Sequence, residues 1–321
     1  MSERRNDRPV RVGVVGVGSL GEHHARLYAE LPEAELVGVH DARPDRAREI
    51  AAKYGVRAFD RIEDLAGAVE AASVAVPTDR HHEVAAPLIE AGIHLLVEKP
   101  IAATMEEADD LVARASRRHL VLQVGHVEHF NPVLTCLETL TGPPRFIEAH
   151  RLAPYPPPRP EGGPPRGTEV SVVLDLMIHD LDVILHLVRA PVAEVRAVGV
   201  PVLSATEDIA NARITFANGA VANVTASRVS AERLRKIRLF YPEAYVSLDY
   251  RNQTGEICRR ASGGLVREPI PIAHDEPLRA ELLAFLRCVR YGASPPVSGE
   301  RAVEALRLAF DIIRCGRESP A

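Results

Sequence analysis

The segment from Val10 to Gly21 constrains this chain more than any other. An apolar run, Val10 to Val15, leads directly into Gly16-Val17-Gly18-Ser19-Leu20-Gly21, and apolar residues then recur at Leu20, Leu27, Tyr28 and Leu31. A short apolar run bounded by glycine reads as a buried strand, and the three-to-four spacing behind it reads as one face of a helix. Leu36 to Val39 resumes a strand pattern, so the opening is a β-α-β unit. A G-x-G-x-x-G between strand and helix has a physical purpose. The first glycine permits a tight turn, the second lets backbone approach a pyrophosphate, and the third lets helix and strand pack closely, while the helix N-terminus offers oriented N–H groups. Gly16, Gly18, Ser19, Leu20 and Gly21 are therefore candidate cofactor-binding residues. Asp41 ends the second strand, where a carboxylate can accept from ribose hydroxyls, which points to NAD. Arg43 could meet a 2′-phosphate instead and keeps NADP open.

The alternation continues. A helix opened by Pro44, a weak strand near Ala58-Phe59 and a helix from Ile62 to Val69 come next. Strand Ser73 to Val76, helix His81 to Ala91, strand His94 to Val97, helix Met105 to Arg117 and strand Leu120 to Val124 complete the series. Six strands alternating with helices predict an α/β fold with a doubly wound parallel sheet, a dinucleotide-binding domain over residues 1–124. Residues 125–321 form a second, α+β domain. There the Pro- and Gly-rich segment 153–167 predicts a loop, either a surface tether or a rigid arm that closes over a pocket or reaches a neighbouring subunit. A helix is expected from Val173 to Val188, followed by strands at Ala193–Val200, Ala210–Phe216, Ala220–Ser227, Lys236–Tyr241 and Ala244–Tyr250. Asn218-Gly219 signals a hairpin, so the sheet should be largely antiparallel. Two amphipathic helices close the chain, with Ser298 as N-cap of the second.

With 321 residues, 46% apolar and 26% charged, the composition is globular and two domains are the default. No apolar run is long enough to span a bilayer, and the charged N-terminus lacks a secretory pattern, so a cytoplasmic location is expected. Cys136, Cys258, Cys288 and Cys315 show neither CxxC pairing nor metal-ligand spacing. The net charge of −5 is spread along the chain, which argues against nucleic acid as a partner.

Only three of the 39 basic residues are lysines, Lys53, Lys99 and Lys236, so a lysine in an apolar setting invites a chemical explanation. Lys99 stands in Glu98-Lys99-Pro100, at the carboxyl end of the fifth strand, where open parallel sheets bind ligands. It could hold a substrate hydroxyl or shuttle its proton; the plainer alternative is an ion pair with Glu98 that closes the strand. In the second half, Asp175 and His179 lie four apart on one helical face, with Asp182 three beyond. Histidine suits proton exchange near neutrality and a carboxylate can orient it, although a solvated helix face explains the same spacing. Thr78 and His81 follow the fourth strand, close to the expected dinucleotide, whereas His23-His24 read as helix surface. His126 and His129 could join Asp175 and His179 around a metal, but none is expected, because hydride transfer needs no further charge carrier.

Taken together, Gly16-x-Gly18-x-x-Gly21, Pro77-Thr78-x-x-His81, Gly92-x-His94-x-x-x-Glu98-Lys99-Pro100 and Asp175-x-x-x-His179-x-x-Asp182 resemble the Gfo/Idh/MocA oxidoreductases over nearly the whole chain. The resemblance implies an N-terminal Rossmann domain and a C-terminal open sheet that builds a subunit interface, hence a homodimer or homotetramer. It implies Lys99, Asp175 and His179 as the catalytic group, with an amine from the first half and an imidazole from the second serving one substrate hydroxyl. Glu98 and Lys99 join the cofactor-binding set.

Within the family, the stretches Gly125 to Pro132, Arg151 to Pro154 and Val172 to Asp180 are similar to the branch that oxidises UDP-N-acetylglucosamine at C3 to the 3-keto sugar. One departure is His129, where that branch leads one to expect arginine. His126, Asn131, Arg151 and Arg228 are candidate substrate residues, the arginines for their match to phosphate oxygens. Alternatives are a polyol dehydrogenase of the inositol type, a reductase like biliverdin reductase, and a non-catalytic protein that senses NAD(H).

Overall fold

The computed structural model describes residues 8–140, 142–158, 165, 167–261 and 264–318. The chain forms two compact units, Met1–His126 with Leu278–Val303, and Val127–Pro277 with Glu304–Ala321.

In the first unit the elements run β1 (Val10–Val15), α1 (Ser19–Glu30), β2 (Ala34–His40), α2 (Pro44–Tyr54), β3 (Arg57–Ala58) and α3 (Ile62–Ala66). They continue through β4 (Ala71–Val74), α4 (His81–Glu90), β5 (His94–Glu98), α5 (Met105–Arg117) and β6 (Leu122–Gly125). The sheet order is β3-β2-β1-β4-β5-β6 and every pairing is parallel. Strand order therefore reverses between β1 and β4, the switch point at which such sheets open a crevice at their carboxyl ends. The central strands are covered on both faces, so β4 is buried along its whole length.

A late segment completes this unit. α7 (Pro277–Tyr291) lays Leu282, Phe285 and Leu286 into the cluster built by Val10, Val12, Leu27, Tyr28 and Leu31. Each such side chain contributes roughly 1.5–3 kcal/mol of burial. Val297 then takes the Val124 amide at 3.0 Å and continues the sheet beyond β6. Ser298 caps α8 (Gly299–Glu318), its Oγ accepting from the Arg301 amide at 3.4 Å.

The second unit is an eight-stranded sheet, introduced in chain order as β7 (Phe146–Leu152), β8 (Val192–Val200), β9 (Ile209–Phe216), β10 (Val221–Ser227), β11 (Leu234–Phe240), β12 (Ala244–Asp249), β13 (Thr254–Ala261) and β14 (Gly264–Pro269). The order is β14-β13-β12-β11-β7-β10-β9-β8, and among the described residues only β7 and β10 pair in parallel there. Burial alternates along β7, β9 and β10, so one face carries the core and the other is open. The Asn218-Gly219 hairpin is present with a three-residue loop: Gly219 has φ 81° and its amide bonds the Phe216 carbonyl at 2.9 Å.

Three of these strands, β7, β13 and β14, leave no strand pattern in the sequence. β7 places Arg151 on the buried face beside Ile147 and Ala149, which hides its apolar alternation. β13 and β14 lack a buried face altogether, so no period appears. The helix expected from Val173 begins as a π-turn, Val173–Met177, before α6 (Ile178–Val188). Residues 153–158, 165 and 167 carry neither helix nor strand; 159–164 and 166 of the expected loop lie outside the described residues.

Candidate active site

The glycine turn has the geometry its sequence demands. Gly16 has φ 83°, and a Cβ there would meet the Ala75 backbone at 2.8 Å. A Cβ on Gly21 would collide with the Gly16 carbonyl, so α1 packs on β1 as closely as a helix can. At Gly18 a Cβ would meet nothing within 4 Å, so the backbone there faces open space. Ser19 opens α1 and is exposed, while Leu20 is half-buried. Open space above a helix N-terminus fits a pyrophosphate. Asp41 is anchored by two backbone amides, Val17 N–H to Oδ2 and Arg43 N–H to Oδ1, both at 2.9 Å. Its carboxylate is thus held at the end of β2, and the Arg43 Nε lies 3.5 Å away. A cavity of about 570 Å³ beside the turn is lined by Gly18, Ser19, Arg43, Arg46 and Lys53.

Beyond β4 and β5 the side chains are more deeply set. Thr78 is half-buried in the short helical turn after Pro77. His81 is buried between two carbonyl oxygens, Nδ1 at 2.8 Å from Pro100 and Nε2 at 3.0 Å from Val76. It thereby ties the chain ends of β4 and β5 together. Burial lowers its pKa, and the two carbonyls and Glu98 pull the other way without reversing the shift. Glu98, a candidate cofactor ligand on sequence, is buried. Its Oε1 meets His24 Nε2 at 3.0 Å and its Oε2 takes the Lys99 amide at 3.2 Å. Burial alone would raise the Glu98 pKa, but the His24 hydrogen bond and the charge of Lys99 outweigh it, so the group stays a carboxylate. Lys99 is half-buried at the strand end, and its bond to Pro100 is cis. His126, just past β6, is buried, and burial together with the Lys99 and Arg301 charges pushes its pKa down to about 3. It is a neutral ring at physiological pH.

The second unit separates its candidates into two groups. Asp175 lies in the π-turn, an irregularity that recurs at functional sites. Gly167, φ 84°, backs onto it: a Cβ there would lie 2.5 Å from Asp175 Oδ2. Asp175 and His179 are both half-buried. Asp182 turns away into the interior, where its Oδ2 is 3.7 Å from His129 Nδ1; the His129 ring in turn stands edge-on to His186 at 4.9 Å.

Arg151, Asn131 and Arg228 are occupied within the unit. Arg151 makes a two-pronged contact with Asp180, Nε to Oδ2 at 2.8 Å and Nη2 to Oδ1 at 3.0 Å, and gives Nη1 to Glu128 at 2.8 Å. Asn131 donates to Glu128 and to the Tyr250 carbonyl, both at 3.0 Å. Arg228 binds Asp208 at 2.7 Å, Thr206 at 2.9 Å, and the carbonyls of Gly167 and Val170 at 2.6 and 2.8 Å. Asp208 also accepts the amides of Val202, Leu203 and Ser204, and these bonds with Arg228 hold its pKa far below the ordinary value despite partial burial. These arginines brace the fold instead of offering free forks to a phosphate. Arg228 in particular ties down the backbone around Gly167, and so the wall behind Asp175.

His24 is the residue sequence reasoning misjudged. It is completely buried, not on the helix surface, and its Nδ1 meets Ser73 Oγ at 3.0 Å. The signal was a serine inside a strand that is otherwise apolar, since a buried hydroxyl requires a partner.

Residues 10–126 match the family model described as an oxidoreductase family with NAD-binding Rossmann fold, and residues 138–246 match the Gfo/Idh/MocA C-terminal domain. The chain belongs to the Gfo/Idh/MocA oxidoreductase family. Like its relatives, this Gfo/Idh/MocA chain is an NAD(P)-dependent dehydrogenase. It is 41% identical over 287 residues, 87% of this chain and 88% of the relative, to a UDP-N-acetylglucosamine 3-dehydrogenase of Acidithiobacillus ferrooxidans. A solved structure of that enzyme superposes with a TM-score of 0.90 at 38% identity, covering 95% of this chain and 97% of the other. A myo-inositol 2-dehydrogenase of Thermotoga maritima is 26% identical over 94% of each chain. Among the described residues no helix is long and apolar enough to cross a membrane.

Proposed function

We propose that this dehydrogenase oxidises the C3 hydroxyl of UDP-N-acetylglucosamine to the ketone, with NAD as preferred oxidant. The observation that carries the substrate is the 41% identity, over most of both chains, to an enzyme of that name. NAD is favoured by Asp41, a carboxylate held by two amides at the end of β2, which suits a ribose hydroxyl and would repel a 2′-phosphate.

Gly16, Gly18, Ser19, Leu20 and Gly21 would hold the pyrophosphate, Asp41 the ribose, and Arg43 and Thr78 the rim of the same site. Bound NAD supplies the acceptor for a hydride from the carbinol carbon. The hydroxyl proton must go to the protein. Lys99 and the Asp175–His179 pair are the candidates to take it, with Asp175 orienting His179, and the base is assigned to the set and not to one member. His126, a neutral ring at the end of β6, adds no charge to this step. The open face of the second sheet, with Val198 and Val200 about half exposed on its edge strand, supports a homodimer or homotetramer. A cytoplasmic location goes with this reading, since four cysteines without a CxxC pair fit a reducing compartment.

The deciding experiment is a panel of UDP-sugars and inositols followed at the nicotinamide absorbance band with NAD and NADP. NADH formation with UDP-N-acetylglucosamine, inhibited by free UDP, is expected. Turnover of inositols without UDP inhibition would replace the sugar nucleotide with a polyol.

A further inference from the structure

Beneath α1 a chain of four buried polar groups runs to the base of Lys99. Tyr28 OH lies 2.8 Å from Ser73 Oγ, Ser73 Oγ 3.0 Å from His24 Nδ1, and His24 Nε2 3.0 Å from Glu98 Oε1. Tyr28, Ser73 and His24 are fully buried and Glu98 nearly so. The proton positions follow from chemistry. An ionised carboxylate only accepts, so His24 Nε2 carries hydrogen and donates to Glu98, while Ser73 Oγ joins His24 Nδ1 to the Tyr28 hydroxyl. Burial raises the Tyr28 pKa further above its ordinary value, which keeps the phenol protonated. The chain ends on Glu98, whose carboxylate takes the His24 N–H.

Glu98 passes this on in one direction. Its Oε2 takes the Lys99 backbone amide at 3.2 Å. On the far side Gly125 leaves room for it, since a Cβ there would stand 2.8 Å from Oε2. The carboxylate is therefore held between the imidazole and the residue that bears the amine. A charge this deeply buried is retained only while its donors remain.

We propose that His24 is a positioning residue for Lys99: through Glu98 it holds the charge and the backbone turn from which the lysine acts. The inference rests on the reading of Lys99 as part of the catalytic set. No proton needs to travel along the chain, because N–H donation is all that Glu98 requires. The role predicts that an amide donor can replace the ring.

The test compares His24→Ala, His24→Gln and Lys99→Met, assayed with UDP-N-acetylglucosamine and NAD across pH 6–9, with NADH binding measured by fluorescence. Groups facing Glu98 are His24 from α1, Lys99 immediately after β5, His81 from α4 and His126 after β6. Without its His24 donor Glu98 takes up a proton more readily, so the acid limb of kcat in His24→Ala moves to higher pH. Its kcat falls about 10- to 100-fold, the loss typical of a misplaced reacting group, with NADH affinity within about 3-fold of wild type. His24→Gln recovers most of kcat and the wild-type acid limb. If His24→Ala gives no soluble protein, His24→Phe, which fills the space without a donor, takes its place.

An inactive Lys99→Met beside a donor-less His24 variant with wild-type kcat and pH profile overturns the positioning role alone. So does a His24→Gln variant no better than His24→Ala. An active Lys99→Met overturns the reading of Lys99, and the positioning role with it. A readout independent of substrate is the ¹⁵N spectrum of labelled histidine: His24 is expected as the Nε2–H tautomer, and an Nδ1–H tautomer would refute the donation to Glu98.

Discussion

Replacing His126 by phenylalanine should change how the protein responds to acid. The His126 pKa is about 3 in the folded chain, lowered first by burial and then by the nearby Lys99 and Arg301 charges, against 6.5 for an ordinary histidine. Because the folded value is depressed, the unfolded chain binds the proton first. Stability from this group is complete above pH 6.5 and is lost as pH falls from there toward 3. One pKa unit is worth about 1.4 kcal/mol, so lowering the pH from 7 to 5 costs about 2 kcal/mol through His126 alone. The pKa values of His81 and His94 are also lowered by burial and add to the same slope. Unfolded carboxylates titrate near pH 4, below this window, and leave it to the histidines. Urea unfolding at pH 7 and pH 5 measures the difference. His126→Phe should lose about 2 kcal/mol less between the two conditions than wild type, whatever its stability at pH 7. Equal losses in the two proteins would mean that the ring is not held neutral, and the reasoning would fail.

Arg151→Met strands Glu128 and Asp180 in the interior and should cost about 3–5 kcal/mol of stability, read as a lowered urea midpoint. Gly125→Ala drives a methyl against Glu98 and should cut kcat more than NADH affinity, as stopped-flow turnover and fluorescence titration would show. Asp41→Ala frees the Val17 and Arg43 amides and removes the negative charge. The ratio of kcat/KM for NAD over NADP should fall by at least about tenfold, one broken charge-assisted hydrogen bond being worth roughly 1.5–3 kcal/mol. Gly21→Ala should abolish soluble protein or cofactor binding, because the new methyl would fall on the Gly16 carbonyl.

What could be read from the sequence was whatever depended on a local period or a local turn. The six parallel strands, the Asn218-Gly219 hairpin and the Ser298 cap are of that kind. β7 was not, because Arg151 occupies a core position that only Asp180 and Glu128, distant in sequence, make tolerable. β13 and β14 bury no face and leave no pattern to find. The candidate residues show the same division. The glycine turn and the Asp41 carboxylate stand where their spacing along the chain puts them, after β1 and after β2. For Arg151, Arg228 and Glu98 the side chain alone suggested a ligand, and the partners that occupy them come from elsewhere in the chain. His24 looked like surface because a helix period counts apolar residues and has no means of recognising a buried imidazole.

The route of the main chain bears on how this protein can be shortened. Since α7 supplies Leu282, Phe285 and Leu286 to the core that β1 and α1 begin, a fragment stopped after His126 would lack the lid on its own nucleotide-binding half. Its bare leucines and Tyr28 would favour aggregation over a working miniature. Nonsense mutations anywhere before the last fifth of the coding sequence should thus behave as complete losses, and complementation by split halves should work only when the second piece brings α7 with it.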